Sequence, residues 1–184
     1  ASNNTAVGYA SLGANTTGAD NVGVGRNSLM VNTTGGDNVA VGKDAMSTNV
    51  TGSNNTAVGQ AAMDANLASN NTAVGKNALT ANTDGTPNTA IGYRAMDANT
   101  SGGSNTAVGY DALGANTTAS NNTAVGVNAM LVNTTGASNT AVGVGALDAN
   151  TTASYNTAVG NDSLGANEGG ASNSAFGSGA LGSN

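Results

Sequence analysis

The chain contains no histidine and no cysteine, so its reactive side chains reduce to ten carboxylates, four bases, four tyrosines and many Ser, Thr and Asn. Without imidazole there is no proton carrier tuned to neutral pH, and without thiolates there is no soft metal site. The hydroxyls that could act as nucleophiles recur at fixed spacing, and none is accompanied by a base. Asp20 and Asp37 each precede Asn in a turn-like string, but one carboxylate at each of two places is too little for calcium and reads as turn capping. The string Val22-Gly23-Val24-Gly25 has neither the helix nor the spacing of a dinucleotide loop. The chain is therefore expected not to be an enzyme, with no catalytic residue, no cofactor and no metal.

What remains is binding chemistry. The four bases, Arg26, Lys43, Lys76 and Arg94, fall at two adjacent positions of a repeat, together with Tyr9, Tyr93, Tyr110, Asp44, Asp111 and Asp162. Stacked at about 4.8 Å per coil, these side chains would form a ridge of mixed chemistry. Tyr9, Arg26, Lys43, Lys76, Tyr93, Arg94, Tyr110 and Asp111 are the candidate binding residues on it. A solvated ridge that keeps a fibre soluble is the plainer reading of the same residues. Past Arg94 no base occurs, whereas Asp97, Asp111, Asp148, Asp162 and Glu168 lie beyond it.

The element that must position these groups is the repeat itself. N-T-A-V-G and its variants return with their Asn at Asn4, Asn21, Asn38, Asn55, Asn71, Asn88, Asn105, Asn122, Asn139, Asn156 and Asn173, a spacing of 17 with one step of 16. The whole of 1–184 is thus one repeat array, with the unit N-[TV]-A-V-G-x-x-A-[LM]-x-A-N-T-T-G-x-x numbered here from one to seventeen. Position nine is Leu or Met in every unit, and position four is Val, Ile or Phe. Stacked in register they make two apolar ladders, so the expected core contains Val7, Leu12, Val41, Met46, Val74, Leu79, Val108, Leu113, Val142 and Leu147. By the two-residue period of a strand, position two should face inward with position four, and position three should face outward. The Ala at position three, Gly only at Gly23, then suggests a partner chain packed close outside. Gly at position five suits a corner, and the Asn at positions one and twelve should form stacked amide ladders. The missing residue between Asn66 and Asn71 places the segment after position twelve in a surface loop.

These features predict an all-β chain, a parallel β-solenoid of about eleven 17-residue coils, roughly 50 Å long and without helix. With one Phe, four Tyr and no Trp, its interior must be thin. A net charge of -6 with four bases excludes a basic groove, so no nucleic-acid partner is expected. No apolar run approaches the roughly 20 residues of a membrane span, so no membrane insertion is expected of this segment. The absence of Cys is compatible with an oxidising exterior, and a start in mid-repeat without Met reads as a mature product or a piece of a longer protein.

The units Asn21-Val22-Gly23-Val24-Gly25 and Asn38-Val39-Ala40-Val41-Gly42, followed by a small residue and Leu or Met, resemble the N-S-V-A-I-G-x-x-A head repeats of YadA-like trimeric autotransporter adhesins. The longer unit is similar to repeats in phage and bacterial tail-fibre proteins. The resemblance covers the whole chain. It implies a left-handed parallel β-roll in a lateral homotrimer, located extracellularly on a bacterial surface or a virion tail fibre. The function it implies is structural and adhesive, with the chain itself and a host surface protein or glycan as partners. The unit is longer than the usual adhesin head unit, and no neck, coiled-coil stalk, anchor or chaperone is present in the sequence. One alternative is a self-assembling filament whose subunits stack end to end through open coils. Another is an ice-binding solenoid, weakened because the Thr at positions thirteen and fourteen point apart instead of forming a T-x-T row.

Overall fold

A computed structural model describes residues 1–183; Asn184, expected to close the last position-twelve row, lies outside the described residues. Positions two to four of every unit form a strand: β1 (Thr5–Val7), β2 (Val22–Val24), β3 (Val39–Val41), β4 (Thr56–Val58), β5 (Thr72–Val74), β6 (Asn88–Ile91), β7 (Asn105–Val108), β8 (Thr123–Val125), β9 (Thr140–Val142), β10 (Thr157–Val159) and β11 (Ser174–Phe176). They make one parallel sheet of 11 strands in sequence order. Each residue pairs with its own repeat position, as in Ala107 with Ala124 and Val108 with Val125. The register survives the 16-residue unit, where Thr56 pairs with Thr72. The missing residue is therefore absorbed outside the strand. No helix occurs among the described residues. The architecture is the expected parallel β-solenoid.

Inter-coil hydrogen bonds continue well beyond the strands. In the coil that begins at Asn105, Gly109 N donates back to Ile91 O (2.8 Å) and Asp111 N to Tyr93 O (3.0 Å). Leu113 N then donates forward to Ala129 O (2.9 Å), Ala115 N to Leu131 O (3.0 Å) and Thr117 N to Thr134 O (3.2 Å). The turns of the coil thus satisfy their backbone groups in the same axial direction as the sheet.

Position nine is the core, as expected. From Leu29 to Leu164 every one of these side chains is fully buried, with Leu12 nearly so. Its neighbours in the interior are the alanines of positions three and eight, such as Ala90, Ala95, Ala107 and Ala112, all with no exposure. This corrects the reading of the strand. Position three faces inward, and positions two and four face outward. Val7, Val74 and Val142 are exposed, and Val41 and Val108 are only half-buried, so none of them belongs to the core. The physical reason is width: a coil of 17 residues already filled by one Leu or Met and two Asn has room opposite only for a methyl group. The smallness of position three therefore reflects the chain's own interior and not a partner outside.

The turn that delivers position nine is strained. All eleven Leu and Met there have φ between 49° and 54°, a left-handed conformation that costs a side-chain-bearing residue roughly 1–2 kcal/mol. Burial of the side chain, worth about 1.5–3 kcal/mol, offsets that cost in every coil but the last, where Leu181 is exposed. At the corner, Gly109 has φ +144°, and a Cβ there would lie 2.3 Å from Gly126 O of the next coil. Conformation and space together require glycine at that point.

The amide ladders form as expected, and they occupy the interior. Asn105 Nδ2 donates to Ala119 O of its own coil (2.9 Å), while its Oδ1 accepts the backbone N–H of Asn122 in the next (2.9 Å). At position twelve, Asn99 Nδ2 donates to Asn82 Oδ1 (2.8 Å) and to Gly102 O (3.0 Å), and Asn116 Nδ2 donates in turn to Asn99 Oδ1 (2.7 Å). Among the described residues the row is interrupted once. In the short coil Asn66 Nδ2 turns to Ala68 O (2.7 Å), and Asn49 Oδ1 is left buried without a partner.

Candidate surface sites

Two surfaces are candidates for contact with a partner, and both arise from the coil geometry. The first is the outer face of the sheet. Position four forms one row from Val7 to Phe176 and position two a parallel row of Thr, Val and Ser, with no charge in either. Val58, Val74, Ile91 and Val142 each expose 36–40% of their surface. An unbroken, uncharged β face of this kind is uncommon on a lone soluble chain.

The second surface is the ridge at positions six and seven. Tyr9, Arg26, Lys43, Lys76, Tyr93, Arg94 and Tyr110 are exposed on it, while Asp111 is partly buried. The stacking brings only some of them together. Tyr93 and Tyr110 lie ring on ring, with centroids 5.2 Å apart and planes 18° from parallel. Arg94 Nε donates to Asp97 Oδ2 at 2.7 Å and lies 3.6 Å from Asp111 Oδ1. The hydrogen bond and charge of Asp97, followed by the charge of Asp111, hold the guanidinium's pKa above its ordinary value. Lys43 pairs with Asp44 at 3.4 Å. Asn27, through its side-chain hydrogen bond, and then Lys43 hold the Asp44 carboxyl below the usual carboxylate range. Among the described residues Tyr9, Arg26 and Lys76 form no ion pair or ring stack.

Position ten joins this ridge because the tight turn between positions seven and ten brings the two side by side. Asp97, absent from the expected binding set, is the nearest partner of Arg94 for that reason. In two of the coils with glycine at position ten the surface dips. At Gly114 a notch of about 530 Å³ lies between Arg94, Asp97 and Asp111 on one side and Leu131 and Val132 on the other. A second notch of about 580 Å³ lies at Gly165 beside Asp148 and Asp162. There burial, and then the neighbouring charge of Asp162, push the Asp148 carboxyl up. Among the described residues no three acidic, His or Cys side chains gather around a common point, and no helix is long and apolar enough to cross a membrane. No protein-family model matches this chain, and neither does any curated protein or solved structure.

Proposed function

We propose that the chain is a segment of an extracellular homotrimeric fibre, an adhesin head or a tail-fibre shaft, that presents a repetitive surface for attachment. One observation carries this reading: the outer sheet face exposes a continuous row of Val, Ile and Phe at position four beside an uncharged row at position two. Charge depletion and aliphatic ladders are what the buried centre of an interface requires. Three copies packed by these faces around a common axis would cover all three ladders and leave the charged ridge outside. The resemblance to trimeric adhesin repeats supplies the copy number and the left-handed sense.

The test is the mass of the purified chain by light scattering, with negative-stain imaging. A trimer is expected, and the double substitution Val108→Glu, Val125→Glu should release β-rich monomers. A wild-type monomer at high concentration would overturn the proposal, and particles that lengthen with concentration would favour end-to-end filaments. A second reading is favoured by the outward-facing Thr row at position two, in register from Thr56 to Thr157. Such a flat Thr and Val lattice could order water as an ice-binding face. A monomer that shows thermal hysteresis would replace the fibre reading with this one.

A further inference from the structure

We propose that the notch at Gly114 binds a neutral saccharide unit. This rests on the attachment reading above and gives it a ligand class. The polar wall combines one cation with two anions within a few ångströms. Arg94 spends its Nε on Asp97, and among the described residues its Nη groups donate no hydrogen bond. Asp111 Oδ1 is buried and accepts no hydrogen bond. That oxygen lies out of a ligand's reach, but Asp97 Oδ1 is not buried and accepts no hydrogen bond among the described residues, so the notch offers unspent donors beside an unspent acceptor. A hydroxyl group, which donates and accepts at once, matches that pair. The local charge of one base against two acids disfavours an anionic ligand, and the guanidinium at the rim disfavours a cationic one. Opposite, Leu131 and the exposed Val132 form an apolar wall suited to the C–H face of a sugar ring. The volume of about 530 Å³ falls within the usual range for small-ligand sites.

Other coils do not reproduce this arrangement. Arg94 is the one base at position seven, and its coil is succeeded by one with glycine and then by one with leucine at position ten. The same contrast between coils supplies a fold-safe variant. Met30 and Leu131 show that position ten accepts a large aliphatic side chain, and Gly114 does not have positive φ. A Cβ built there lies 3.2 Å from Asp111 O, a tight contact, and 3.7 Å from Leu131 Cδ1, an ordinary one. Gly114→Leu should therefore fill the notch without unfolding the coil.

The experiment uses the whole chain with maltotriose, chitotriose and lactose as neutral probes, 3′-sialyllactose as the anionic arm and spermidine as the cationic arm. Binding is read by saturation-transfer NMR and calorimetry. At least one neutral probe should bind, and Gly114→Leu and Arg94→Ala should each weaken it by about tenfold or more. Failure of every neutral probe, binding unchanged in Gly114→Leu, or binding of the sialylated or cationic probe alone would overturn the proposal. Light-scattering mass on the same samples separates the two claims. A trimer without sugar binding removes the ligand and leaves the fibre, whereas sugar binding by a stable monomer removes the fibre and leaves the site.

Discussion

Asn99→Asp tests whether the position-twelve amides are a dry, obligatory part of the interior. Asn99 has no solvent exposure and uses its Nδ2 twice, toward Asn82 Oδ1 and Gly102 O, while its Oδ1 accepts from Asn116. Aspartate keeps the acceptor and loses both donors, so an ionised oxygen would face two other oxygens in a buried site. The fold can hold this side chain only as the neutral acid, which raises its pKa far above that of the unfolded chain. Where the carboxyl is protonated in both states, the variant loses about one hydrogen bond, roughly 1 kcal/mol. As pH rises through the ordinary aspartate range, the unfolded chain releases its proton first. Stability then falls by about 1.4 kcal/mol per pH unit, amounting to about 4 kcal/mol at neutral pH. Asn121→Asp is the matched control: it lies at the exposed position seventeen, where Asp20 and Asp37 already occur. Thermal and urea unfolding at about pH 3 and about pH 7 should therefore separate the two variants strongly at neutral pH and weakly in acid. A difference between the two pH values below about 1 kcal/mol for Asn99→Asp, relative to the control, would show that water reaches the ladder.

Gly109→Ala meets both the φ of +144° and the carbonyl 2.3 Å away, and is expected to cost more than about 3 kcal/mol by urea unfolding. Inserting one Gly between Ala68 and Ser69 restores the 17-residue unit and lets Asn66 donate to the orphaned Asn49 Oδ1; a gain of about 1–2 kcal/mol is expected in the same measurement. The Asp148 carboxyl is pushed up by burial and by Asp162, so the stability it permits in acid is lost as pH rises through its folded-state value. Asp148→Asn should therefore raise the melting temperature at neutral pH and leave it unchanged in acid.

The solenoid was legible because its determinants repeat: eleven Leu or Met, eleven corner glycines and paired asparagines admit one stacking period. The face of the strand was misread because hydropathy alone assigns Val inward and Ala outward. Two signals in the sequence pointed the other way. Position four accepts Phe176, which a thin interior could not house, and positions three and eight both stay small on either side of a bulky position nine. The ridge was legible at position six, which the corner glycine places at the surface, and less so at position seven, where Asp44 and Asp111 are partly buried. Its internal pairing was not, because the contact of Arg94 with Asp97 depends on a turn that folds position ten back beside position seven. That turn requires left-handed φ at Leu and Met, which no local propensity favours.

The axial direction of the ladder has a mechanical consequence. The chain enters at one end of the stack and leaves at the other, so tension on its ends acts along the inter-coil hydrogen bonds and opens them one coil at a time, as a zipper opens. Each coil that peels away frees 17 residues, a contour gain of about 50 Å once the coil's own rise is subtracted. A single chain held at both ends would thus yield in equal small steps at modest force. Copies bonded side by side along the outer sheet face would have to yield together, and a fibre built that way carries load that one chain cannot.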